Sequence, residues 1–211
     1  MAVQQQDILA WLADLQRIYA DNRERLTELD SAIGDADHGI NMDRGFTAVC
    51  NELRANPPAG IADIFQTVAT VLIRTVGGAV GPLYGTFFLR AAAACAGKSQ
   101  LETADVAAMF QAGIQGVQQR GKAVLQDKTM VDALLPALDA IHDAMKKDTV
   151  DLPRVLEAAT AAAEAGMLST IPIQARKGRA SYLGARSIGH QDPGATSAYL
   201  LLKTAASAWR A

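Results

Sequence analysis

Apolar positions recur at helical spacing along nearly the whole chain. Ile8, Leu12, Leu15 and Tyr19 fall at i, i+4, i+7 and i+11, with Trp11 and Ile18 beside them, which predicts a helix over residues 5–29. A second helix is expected over residues 41–55, because Pro57 and Pro58 lack the amide donors to continue it. Ile64, Phe65, Val68, Val71 and Leu72 mark a third, and Pro82 suits the first turn of a fourth that runs through Leu89 to Cys95. Thr103 is a candidate cap for a fifth helix ending near Arg120 and Gly121. A sixth is expected over residues 131–147, bent around Pro136; Asp151 and Pro153 open an alanine-rich seventh, and an eighth covers residues 195–210. No segment alternates with a period of two, and no internal repeat is present. The expectation is an all-α, single domain over residues 1–211, built of about eight antiparallel helices.

Three stretches interrupt this pattern: residues 30–45 (DSAIGDADHGINMDRG), 77–86 (GGAVGPLYGT) and 174–194 (QARKGRASYLGARSIGHQDPG). A glycine-rich loop of that last length, inside an otherwise economical helical domain, points to function. The 211 residues are half hydrophobic but only 5% aromatic, with alanine the dominant apolar residue, so helix axes can approach closely. A net charge of −2 gives no basic field for nucleic acid. The longest uncharged apolar run is broken by Gly77, Gly78, Gly81, Pro82 and Gly85, too soon to span a membrane. Neither an export signal nor a CxxC pair is present, so the expected location is the cytoplasm.

The interruptions hold the candidate chemistry. Asp30, Asp35 and Asp37 crowd three carboxylates into eight residues between two helices, with Gly34 and Gly39 allowing the chain to turn. Like charges so close repel unless a hard cation such as Mg²⁺, Ca²⁺ or Mn²⁺ joins them; helix caps and Asx turns are the alternative reading. An EF-hand is excluded, since its glycine and glutamate positions carry Ile40 and Phe46. His38, Gly39, Ile40 and Asn41 open the next helix, where free amides and the helix dipole attract anions. The turn at residues 77–82 is a second possible phosphate cradle, or simply a tight interhelical turn. Arg176, Lys177, Arg179, Arg186, His190 and Asp192 place charge on the long third loop. Gly97-Lys98-Ser99 resembles the end of a P-loop, but Ala92 stands at its first glycine, and GxGxxG after a strand, GxSxG and HExxH are all absent.

Four blocks in order are more specific than these patterns. They are GDADHGINMDRG (residues 34–45), the segment from Gly77 to Phe88 ending GPLYGTFF, DKTMVDAL (127–134) and ARKGRASYLGARSIGHQDPGATS (175–197). Together they resemble the nucleotide-binding L-subunit family of dihydroxyacetone kinases over essentially the whole length. The resemblance implies a barrel of eight antiparallel helices holding ADP at one end through two Mg²⁺ ions. Carried over by position, Asp30, Asp35 and Asp37 would be the metal ligands. His38, Gly39, Ile40, Asn41, Ala79 and Val80 would contact the phosphates and neighbouring atoms, and Gly121, Met130, Arg179, Asp192, Pro193 and Gly194 would complete the nucleotide site. Arg179 is also the candidate for stabilising transition-state charge.

In the phosphotransferase-system-dependent members that the chain looks like, retained ADP is charged to ATP by a phosphoryl-donor subunit. The phosphoryl group then passes to dihydroxyacetone on a separate kinase subunit; an ATP-dependent variant carries the same domain fused to the substrate domain. Two positions depart from the family pattern: Val80 replaces a usual serine, and Gln126 a usual glycine. Two other functions share the acidic cluster: a nucleotide-responsive module that signals to a partner such as a transcriptional regulator, and a two-metal phosphohydrolase.

Overall fold

The computed structural model describes residues 2–147 and 150–210. The helices are α1 (Gln5–Asp21), α2 (Arg23–Ile33), α3 (His38–Ala55), α4 (Ile61–Thr75), α5 (Val80–Ala94), α6 (Thr103–Gly121), α7 (Val131–Met145), α8 (Leu152–Ser169) and α9 (Pro193–Ala208). A 3₁₀ helix, Arg179–Ser187, lies in the long connection before α9. Among the described residues the only extended pairing is a bridge between Val3 and Leu101. No described helix is long and apolar enough to cross a membrane.

Helices α3 to α9 each pack on the next, while α1 packs on both α3 and α9. These eight close into a ring, the all-α barrel expected from the sequence. Helix α2 stands outside the ring, against α3, α9 and the 3₁₀ helix. Trp11 fills the middle of the barrel, its ring 6.5 Å from Phe65, 6.1 Å from Phe88, 6.2 Å from Phe110 and 5.0 Å from Trp209. Two turns further along α1, Tyr19 meets Phe46, and there the apolar core gives way to a buried hydroxyl cluster.

The element boundaries differ from the sequence pattern in instructive places. The single helix expected over residues 5–29 is broken at Asn22, whose Nδ2 donates to the Ile18 carbonyl at 2.8 Å. The Ile18 carbonyl also accepts from Asn22 N at 3.0 Å, so the side chain adds a local bond at the end of α1, where asparagine is favoured over the helix interior. The break lets α2 turn away and carry Asp30 into the interior. Helix α3 begins at His38, three residues before the expected start. The cap of α6 is Glu102 in a capping box with Asp105, and Thr103 is the first helical residue. Pro136 lies inside α7 and cannot donate to the Asp132 carbonyl four residues earlier. Gly166 of α8 packs over that carbonyl, so closely that a Cβ would lie 2.1 Å from its oxygen.

Candidate functional site

The site starts from the corner between α2 and α3. Asp30, buried on the last turn of α2, accepts through Oδ2 from the backbone amides of Asp37 at 2.9 Å and His38 at 3.1 Å. The anion at the start of α3 is therefore the protein's own carboxylate, which the helix dipole favours. Gly34 is required here, since a Cβ would sit 2.0 Å from Asp30 Oδ1. Between Asp35 and Asp37, Ala36 adopts a left-handed conformation (φ 60°), a strained geometry for a residue with a Cβ. This turn brings one oxygen from each of Asp30, Asp35 and Asp37 to within 4.8 Å of one another. A hard divalent cation fits that donor set, because only a cation relieves three carboxylates held so close. In the structure Arg179 supplies part of that relief, with Nη2 3.0 Å from Asp35 Oδ2.

The opposite wall is the turn before α5. Gly78 is left-handed (φ 64°) with open space beyond it, and Ala79 and Val80 begin the helix. The backbone amides of that first turn have no intrahelical acceptors, so they can meet an anion without help from a side chain at position 80. Behind the turn, buried Asn41 has a Nδ2 with no partner among the described residues, and the side chain lies about 4 Å from where a Cβ on Gly77 would be. Arg44 donates to its Oδ1.

Together these elements enclose a cleft of about 230 Å³ lined by Asp30, Asp35, Asp37 and His38 on one side and Gly77 to Val80 on another. Met130, Arg179 and Asp192 to Gly194 complete it. An adjoining pocket of about 250 Å³ shares Ala79, Leu83 and Met130 and continues past Pro82, Val117, Gly121 and Val131. One end is acidic and the other apolar, a division that matches a metal–phosphate group at the first and a flat, weakly polar ring at the second.

A buried network supports the acidic end. Ser197 Oγ donates to the Gly194 carbonyl at 3.0 Å, receives the Tyr84 hydroxyl at 2.8 Å and lies 2.9 Å from His38 Nε2. With its donor used, the serine can only accept from the histidine, which places the ring proton on Nε2. Burial pulls the His38 pKa down to about 4, against the opposing pull of Asp30 and Asp37, so the ring is neutral. Tyr19 donates to the Ser197 carbonyl at 2.9 Å, and burial raises the pKa of both phenols. Asp192 caps α9 by accepting from Ala195 N at 2.7 Å, and burial pushes its pKa up to about 7.

Most residues expected from the sequence thus meet in one place. Gly121 lines the adjoining apolar pocket instead, and Gly39, Ile40 and Asn41 line neither pocket. Gly39 faces α2, where a Cβ would meet the Arg23 carbonyl at 2.0 Å, and Ile40 points outward. Sequence reasoning missed Lys128, Tyr84 and Ser197. Lys128 is 1% exposed, and its Nζ donates to the carbonyls of Thr170, Ile173 and His190. Burial lowers its pKa, against the pull of Asp192 and Asp132. Gln126 is left-handed at φ 71°, a conformation glycine adopts without strain.

Residues 32–207 match the DAK2 domain family. Over 208 residues the chain is 45% identical to the PEP-dependent dihydroxyacetone kinase, ADP-binding subunit DhaL, of Escherichia coli, covering 99% of both. It is 41% identical over 197 residues to the PTS-dependent counterpart of Lactococcus lactis, covering 93% of each. Among solved structures, the dihydroxyacetone kinase of C. freundii superposes with a TM-score of 0.75 in its native form, at 23% identity and over 97% of this chain. Its complex with AMP-PNP and Mg²⁺ gives 0.72 over 98% of this chain. The chain spans 35% of the length of that kinase in its native form, and at such identity the likeness speaks for the fold.

Proposed function

This chain belongs to the DAK2 domain family, and from that premise we propose that it is the ADP-binding subunit of a dihydroxyacetone kinase, acting in the cytoplasm. In this reading it retains a Mg²⁺-bound adenine nucleotide, with two ions, and serves phosphoryl transfer to dihydroxyacetone held on a partner kinase subunit. A phosphotransferase-system donor subunit recharges the nucleotide. The observation that carries the proposal is the meeting of Asp30, Asp35 and Asp37 within 4.8 Å, at the acidic end of a cleft whose other end is apolar.

Asp30, Asp35 and Asp37 would hold the metal. When bound, it neutralises phosphate charge and aligns the transferring group, which is most of what phosphoryl transfer requires. The chain's own residues do the rest. The amides of Asp37 and His38 fix Asp30 through Oδ2, leaving Oδ1 as its free oxygen. The turn at Gly78, Ala79 and Val80 offers backbone amides to phosphate oxygens, and Asn41 Nδ2 waits behind it as an unpaired donor. Arg179 sits at the acidic mouth, in reach of charge that develops there. His38, neutral and tethered to Ser197, positions the start of α3 and adds no charge of its own. Gly121 and Met130 border the apolar end, where the adenine would lie.

The 45% and 41% identical relatives, named as ADP-binding subunits of PEP- and PTS-dependent kinases, support this reading. It is tested by mass spectrometry and magnesium analysis of the purified protein, followed by reconstitution. ADP with about two magnesium ions per chain is expected, as is dihydroxyacetone phosphate on mixing with the substrate and donor subunits. A folded, nucleotide-loaded protein that forms no product in that mixture would overturn the proposal.

A further inference from the structure

Lys128 is a cation in the lining of the proposed nucleotide cleft, yet it has nothing left to offer a phosphate. All three ammonium hydrogens are taken by backbone carbonyls: Thr170 at 2.6 Å, Ile173 at 3.1 Å and His190 at 2.5 Å. Those acceptors lie at the two ends of one long connection, from the residue that caps the end of α8 to the residue two before the α9 cap. The same neck is tied by Gly189 N to Ile171 O at 2.8 Å and by Asp192 N to Thr170 Oγ1 at 3.0 Å. Between the ends, the chain runs out to Lys177, Gly178, Arg179 and Ala180 at the cleft and returns to Asp192.

Lys128 is itself held rigidly. Its backbone is left-handed at φ 63°, next but one to left-handed Gln126. Asp132 accepts from Gln126 N and from Thr129 N at 2.8 Å, fixing the turn, and Arg176 N donates to the Asp127 carbonyl at 3.0 Å. A buried ammonium with its three donors matched to three carbonyls is a fixed anchor, because any other loop position leaves charge and carbonyls unpaired out of water.

We propose that Lys128 is a positioning residue, whose ammonium clasps the neck of the loop over residues 170–190 and thereby sets Arg179 and the turn at residues 192–194 against the acidic corner. It acts through the loop and does not touch the phosphates. The effect on turnover rests on the function proposed above; the effect on the loop does not.

The test uses the full-length protein with Lys128→Met, which keeps the length of the side chain and removes the donors. Limited trypsin digestion without nucleotide should cut after Arg176, Lys177, Arg179 or Arg186 roughly tenfold faster than in the wild type, while the helical circular dichroism is kept. In reconstituted phosphoryl transfer, Lys128→Met should lower kcat roughly tenfold. In an Arg179→Ala background it should add no more than about twofold, because both changes remove the same positioned group. A lysine important only for stability would give no such non-additivity. Unchanged loop cleavage, or fully multiplicative effects on kcat, would overturn the proposal. Should Lys128→Met fail to fold, Lys128→Arg decides in its place: its fork cannot reproduce three separate contacts, so cleavage should rise roughly threefold, and a wild-type rate would refute the role. If the wild-type protein itself forms no dihydroxyacetone phosphate, the functional reading fails, and the cleavage rates still judge Lys128.

Discussion

Replacing Ser197 with alanine tests whether the hydroxyl cluster under the acidic corner holds the site end of the barrel together. The side chain is fully buried and serves three partners: the Tyr84 hydroxyl at 2.8 Å, His38 Nε2 at 2.9 Å and the Gly194 carbonyl at 3.0 Å. Alanine strands two donors, the Tyr84 hydroxyl and His38 Nε2, where water does not reach, while the Gly194 carbonyl keeps its helical bond within α9. Each stranded buried group costs about 1–3 kcal/mol before relaxation, and with partial relaxation a total of about 3 kcal/mol is expected. For a domain of this size that is a fall in Tm of roughly 6–12 °C. Tyr84→Phe is the control, because it removes one donor and leaves Ser197 with its other two partners, for a cost of about 1 kcal/mol. Urea denaturation followed by circular dichroism, on protein stripped of nucleotide and metal, measures both without the added stability of bound ligand. A Ser197→Ala variant within about 1 kcal/mol of wild type, or a Tyr84→Phe variant just as damaged, would refute the network as drawn.

Three further outcomes follow from the same geometry. Asp35→Ala and Asp37→Ala should each abolish retention of Mg²⁺ and nucleotide, and erase the Tm rise on adding Mg·ADP, which is about 2.7 kcal/mol in free energy at a hundredfold excess over Kd; unchanged nucleotide content would refute the metal assignment. Gln126→Gly should stabilise the protein by about 0.5–1 kcal/mol, since release of the left-handed strain outweighs the added freedom of the unfolded chain, and denaturant midpoints will show it. Asp192 has a folded pKa of about 7 against an ordinary value of 3.8, so its contribution is fully present below the latter and lost as pH rises through the former. Stability of Asp192→Asn relative to wild type should therefore rise between pH 4 and pH 8, by at most about 4 kcal/mol, and a flat difference would contradict the burial of that carboxyl.

How much of this was legible in the sequence follows from how local each cause is. The apolar stripe of Ile8, Leu12 and Leu15 needs only helical periodicity, and the buried face of α1 is the predicted one. The acidic triad was legible because its three carboxylates lie within eight residues, on a turn whose glycine makes room for Asp30. The break at Asn22 was not, since an asparagine that can bond its own backbone does not by itself fix a helix end, and α2 meets α3 and α9 only in the folded chain. Lys128 and Ser197 lie further out of reach. Lysine is almost never fully buried, and only the folded chain brings Thr170 and His190 to either side of one ammonium, or Tyr84 and His38 to one serine. The carboxylates at the acidic end of the cleft were readable as a motif, then, while the groups that support them are set by contacts between distant segments. That division is physical: a metal ligand must be of one chemical type at one place, but a supporting hydrogen bond can come from any element the fold brings near. The cost of losing such support should consequently appear first as misplaced ligands, in slower turnover and an open loop, before it appears as a missing ion.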